Sequence, residues 1–169
     1  MEILLIIGVI VNLIGISSYI FNTLKGKTKP NRVTWLLWSI APMIAFFAAV
    51  SEGRTWGAIP TFMSGFGPLL VFIASFLNKN AFWKLNSIDY ICGASSVIAL
   101  ILWGITKEAN LAIIFAILSD GLAAIPTLIK SWKDPDSETV TPYIIGMLFQ
   151  TTTFLTVKYW EFSEFGFSL

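Results

Sequence analysis

The chain has 169 residues, of which 56% are hydrophobic and only 12% are charged, with a net charge of +1. A soluble domain carries about 25% charged residues, so this chain is too apolar to face water all round, and its near-neutral charge gives no reason to expect a nucleic-acid partner. It has no histidine and one cysteine, Cys92, so the commonest general base and metal ligand is missing and no internal disulfide can form.

A membrane helix needs about 20 apolar residues, and six runs approach that length. The first, near 3–24, follows Met1-Glu2 without a basic leader and is too long for a signal-peptide core, so it reads as a span. Gly8, Asn12, Gly15, Tyr19 and Asn22 share one of its faces, and a basic turn follows with Lys25, Lys27, Lys29 and Arg32. The second run, near 33–51, opens on Trp35, carries Trp38 deeper and contains Pro42. The third, near 56–77, holds Pro60 and Pro68, lines up Thr61, Gly65 and Pro68, and ends before Lys79 and Lys84.

The fourth run, near 88–106, contains Cys92, which reads as a packed thiol. The fifth, near 109–132, holds Asp120, the one carboxylate well inside a predicted span. Ala116, Asp120, Ala123 and Thr127 share a face there, and Pro126 lies one turn on from Ala123. The turn Lys133-Asp134-Pro135-Asp136-Ser137-Glu138 reads as solvated, with Asp136 or Ser137 capping the next helix. The sixth run, near 140–159, carries Pro142 and lines up Gly146, Gln150 and Thr153.

Lysine and arginine set the orientation. The turns after runs one, three and five hold eight basic residues, against Arg54, Lys107 and Lys158 on the other side. The N-terminus is therefore expected outside and the three basic turns in the cytoplasm. Trp35, Trp56, Trp83, Trp132 and Trp160 fall near predicted span ends, where belt anchoring accounts for them; Trp38 and Trp103 sit deeper.

The chain also repeats itself. Gly15 to Lys25 aligns with Asp120 to Lys130 at an offset of 105, and Val33-Thr34 with Val140-Thr141 at an offset of 107. Both turns fall on the same predicted side, which suggests duplication of a helix–turn–helix piece. Three helices, a linker helix and a second set then give residues 1–77 as the first repeat, 78–108 as the linker and 109–169 as the second repeat.

Ile125-Pro126-Thr127-Leu128-Ile129-Lys130-Ser131 resembles the Pro-Gln helix end of the PQ-loop transporters, which include the SWEET sugar facilitators, with Thr127 in place of the Gln. The segment 137–141 resembles that family's Ser-rich turn. The first copy departs from the pattern, with Phe21-Asn22 at the Pro-Gln position. The run Lys27-Thr28-Lys29-Pro30-Asn31-Arg32-Val33-Thr34-Trp35 also resembles a group of uncharacterised bacterial membrane proteins. The resemblance implies an all-α membrane protein of SWEET-like 3+1+3 arrangement, in the bacterial inner membrane. The nine residues of 161–169 cannot cross about 30 Å at 1.5 Å each. The seventh helix of that arrangement is thus expected from a continuation of the chain, a second copy or a partner.

Two function classes stay open. One is a transporter of a small polar solute, sugar-like or amino-acid- or amine-like, working by alternating access with Asn12, Trp38, Asp120 and Gln150 on the solute. Asp120 would take up a proton, a cation or a polar substrate, and Pro42 and Pro126 are candidate hinges, as helix prolines are in the family. The other is a non-transporting receptor-like or assembly subunit. Close packing is the better explanation of the glycines in the small-residue stripes, and explains Asn12 and Gln150 equally well. No nucleophile–base pair, metal cluster or phosphate loop stands out, so neither an enzyme nor a cofactor is expected.

Overall fold

Among the described residues, six α-helices form over the six apolar runs. The computed structural model describes residues 2–51, 59–81, 83–106 and 109–155. The helices are α1 (Glu2–Leu24), α2 (Arg32–Ser51), α3 (Ile59–Leu77), α4 (Ser87–Ile105), α5 (Ala109–Lys133) and α6 (Thr141–Leu155), with a 3-10 turn over Pro135–Ser137. Among the described residues there is no strand. The apolar window Ile7–Leu24 of α1 is long enough to cross a membrane, and Thr61–Leu77 and Ser87–Leu102 form shorter apolar helices. Trp56, Arg54, Lys107, Lys158 and Trp160 lie outside the described residues.

Helix ends are set by local chemistry. α1 stops in a Schellman turn: Gly26 N–H donates to the Thr23 carbonyl and Lys27 N–H to the Asn22 carbonyl, both at 2.9 Å. Gly26 takes φ +73° there, a conformation that costs a residue with a Cβ. Asn31 caps α2, its Oδ1 accepting from the backbone N–H groups of Val33 (3.1 Å) and Thr34 (3.4 Å). α4 opens in a capping box, with Asn86 Oδ1 accepting from Ile88 and Asp89, and Asp89 Oδ2 accepting from Asn86 N–H. The expected cap of α6 does not form. Asp136 and Ser137 belong to the 3-10 turn, where Ser137 Oγ donates backwards to the Asp134 carbonyl, and the Tyr143 N–H turns to the Val140 carbonyl.

The helices pack in the order α6, α1, α3, α2, α5, α4, with α2 also against α4. α6 is covered chiefly by α1. The glycine face of α1 makes that contact possible. A Cβ on Gly15 would stand 3.0 Å from the Ile145 side chain and 3.3 Å from the Pro142 backbone. Burial is inverted relative to a water-soluble globule. Among the described residues more polar than apolar side chains are buried, including Thr23, Thr34, Ser96, Ser119, Thr127 and Lys130. Large apolar side chains such as Ile14, Leu77, Ile105, Leu128 and Met147 are more than half exposed.

Candidate functional site

The densest polar chemistry lies where the basic turns meet, and it is built around one carboxylate. The turn after α5 folds inward and carries Glu138 against α1, α5 and α6. Lys130, on the last turns of α5, reaches the same point. Its ammonium donates to Glu138 Oε1, to the Lys29 carbonyl and, at 3.2 Å, to the Ser137 carbonyl. Three acceptors satisfy its three N–H donors. The Lys130 side chain is fully buried and that of Glu138 is 4% exposed.

Two phenols complete the carboxylate's shell. Tyr19 OH stands 2.9 and 3.1 Å from the two Glu138 oxygens, and Tyr143 OH donates to Oε2 at 3.2 Å. Trp35 Nε1–H in turn donates to Tyr19 OH at 3.2 Å. The rings of Tyr19, Trp35, Trp38 and Tyr143 pack on one another, with neighbouring centroids 4.7 to 6.4 Å apart, within reach of favourable aromatic contact. One carboxylate is thereby tied, directly or through one ring, to α1, α2, α5 and α6.

Two seams run away from this knot. Between α1 and α6, Asn22 Nδ2 donates to Thr139 Oγ1 at 3.1 Å, Thr28 and Thr139 share a hydroxyl contact, and Lys29 N–H donates to the Ser137 carbonyl at 2.9 Å. Between α2 and α5, Thr127 Oγ1 donates to Thr34 Oγ1 at 2.9 Å, and Thr34 Oγ1 to the Ala123 carbonyl at 2.6 Å. Asn22 and Thr127 are the residues the repeat aligns with each other. Each meets a threonine beside the start of the facing helix.

Trp38 and Asp120 come together, since Trp38 Nε1–H donates to the Asp120 carbonyl at 3.3 Å across the α2–α5 seam. Asp120 itself is exposed. The buried acids are Asp89, which accepts from Asn31 Nδ2 at 2.5 Å, and Glu138. Asn12 faces α3 instead of the seam: its Oδ1 lies 3.8 Å from where a Gly67 Cβ would stand, and it is buried with no hydrogen-bond partner. Gln150 is on α6, and its side chain lies outside the described residues. Pro42 and Pro126 are inside α2 and α5, with Pro126 buried.

The sequence reading placed Tyr19 on the polar face of the first helix but gave Lys130, Glu138 and Tyr143 no part in a site. Glu138 is no part of a solvated turn, and Trp35, 2% exposed, is a core residue and no belt anchor. Trp132, 89% exposed, has the exposure a belt anchor needs. A signal for the knot was present, because Ser119, Ala123, Thr127 and Lys130 form a small and polar stripe at helical spacing that runs straight to it.

A cavity of about 40 Å³ lies between α4 and α5, lined by Trp83, Asn86, Asp89, Pro126, Lys130 and Lys133 among others. It has room for about one or two waters and none for a solute. Among the described residues no cluster of His, Cys, Asp or Glu could hold a metal ion. No family model, no curated protein and no solved structure matches this chain.

Proposed function

We propose that this chain is an integral membrane protein of six spans that carries a small polar solute, sugar-like or amino-acid- or amine-like, by alternating access. The observation that carries the proposal is the four-helix centre formed by two seams, α1 on α6 and α2 on α5, where the aligned residues Asn22 and Thr127 each meet a threonine near the start of the facing helix, Thr139 and Thr34. Duplicated membrane bundles bind their cargo at the interface between copies. The resemblance of 125–131 to the PQ-loop helix end points the same way.

The inverted burial supports the membrane. An exterior of Ile14, Leu77, Ile105, Leu128 and Met147 suits lipid, and interior hydroxyls and amides bond across helices where no water competes. The positive-inside rule puts the basic turns in the cytoplasm. Trp38 offers an indole face, and Asp120, beside it, a carboxylate suited to an ammonium group or a coupling proton. Asn12, which faces α3 within its own copy, stands outside this solute site.

Proteoliposome uptake with a panel of sugars, amino acids and amines tests the reading. Saturable uptake of at least one solute is expected, lost or made insensitive to a proton gradient in Asp120→Asn. Uptake that keeps its full pH dependence in Asp120→Asn rules out coupling through that residue. A second reading, a non-transporting subunit, is favoured by α6, whose Ile144, Met147 and Leu148 remain exposed. Absence of uptake for every solute, with a stoichiometric protein complex, decides for it.

A further inference from the structure

The basic end of the four-helix centre is closed, and the closure has one mechanical centre. Lys130 and Glu138 both belong to the second copy, so their ion pair does not itself hold the copies together. What the pair does is aim two groups across the seam. The carboxylate turns to Tyr19 OH on α1, at 2.9 and 3.1 Å, and the ammonium turns to the Lys29 carbonyl in the first turn. Pairing neutralises both charges, which lets them sit buried beside phenols and carbonyls. The rings of Trp35 and Tyr143 lie directly against Tyr19, with Trp38 packed behind them on both, between α1, α2 and α6. No solute passes this end while those rings are in contact.

We propose that Tyr19, Lys130 and Glu138 form a latch that holds the basic end of the pathway shut, and that its release lets the turn 134–140 and the start of α6 move away from α1. This rests on the transport reading for its purpose, but the movement is measurable without any solute. Other contacts across the same seam are hydrogen bonds between neutral groups, Asn22 to Thr139, Thr28 to Thr139 and Lys29 N–H to the Ser137 carbonyl, and one loose, partly exposed ion pair, Lys29 Nζ to Asp134 Oδ2 at 4.0 Å, which contributes little at the surface. In membranes such bonds contribute little each. The hydrogen bonds made by buried charged groups are stronger and directional, so the latch is the part of the seam whose loss weakens it most. Within the moving segment, Pro135 and the short 3-10 turn stop α5 from continuing before Glu138, and Pro142 sits in the first turn of α6 after it.

The test is a distance measurement between spin labels in a lipid bilayer, with Cys92 replaced by serine. One label pair, Lys27→Cys with Asp136→Cys, spans the seam at two exposed positions. The control pair, Lys84→Cys with Lys133→Cys, lies on the α4–α5 side, also at exposed positions. Two variants release the latch differently. Tyr19→Phe keeps the ring and removes the bridging hydroxyl. The double change Lys130→Met with Glu138→Leu removes the ion pair without stranding a charge. In each, the separated population of the cross-seam pair is expected to rise about tenfold over the parent, as for a minor state brought into view, with the control pair unchanged. An unchanged cross-seam distribution in both variants overturns the latch. So does broadening of both pairs together, which would make the knot a general support of the fold. Opening without uptake of any solute would leave the latch standing and remove the transport reading.

Discussion

Lys130 and Glu138 illustrate how a charge pair behaves where water is excluded. Each side chain is buried with almost no exposure, and each is fully engaged. Removing one partner leaves the other charged and unpaired, which costs about 3–5 kcal/mol. Lys130→Ala and Glu138→Ala are each expected to lose that much in chemical unfolding from detergent micelles. Lys130→Met with Glu138→Leu is expected to lose far less than the sum of the two single changes, because replacing a buried pair by apolar groups is often close to neutral. Tryptophans divide in the same way: Trp35→Ala should cost about 3–5 kcal/mol through the void it leaves, and Trp132→Ala, at the surface, within about 0.5 kcal/mol. The sequence allowed neither distinction. Both tryptophans fall near span ends, and Glu138 follows a Pro-Asp stretch that looks solvated. Only the fold brings Tyr19 opposite Glu138, 119 positions away.

Elements were the most legible level. Apolar runs bounded by charged turns gave all six helices close to their observed limits, because such runs have few other ways to satisfy their backbone. Glycine roles were less legible, since one residue type serves a turn, a close contact or nothing. Gly26 takes a positive φ, so Gly26→Ala is expected to cost about 1–2 kcal/mol, with Gly26→Asn recovering part of it. Gly15 lets α6 approach α1, so Gly15→Leu should drive the two helices apart. A Cβ on Gly121 would meet nothing within 4 Å, and Gly121→Ala should be neutral or gain up to about 1 kcal/mol. Thermal unfolding of the three variants in one detergent checks the ranking, with Gly15→Leu lowest and Gly121→Ala highest.

At the scale of the whole molecule, the repeat was visible as two similar turns, and its consequence was not. Nothing in the sequence says that the end of one copy packs on the beginning of the other. The aligned positions Asn22 and Thr127 differ in side chain and meet threonines two positions out of register, Thr139 and Thr34, so the likeness is one of place more than of residue. Between the copies the chemistry diverges. Lys130 pairs with Glu138, but its aligned counterpart Lys25 is exposed over the Phe21 ring. Hydrophobic periodicity could not report the interior, because the apolar side chains are largely the outside.

A bundle that spans the membrane as proposed must gather its three basic turns on one side of the bilayer. It is tested most directly by labelling Lys27→Cys, Lys84→Cys and Lys133→Cys, with Cys92 as serine, using a membrane-impermeant thiol reagent on intact cells and on inverted vesicles. All three are expected to react in inverted vesicles and to be protected in intact cells. Labelling of any one from the opposite side to the other two would overturn this topology.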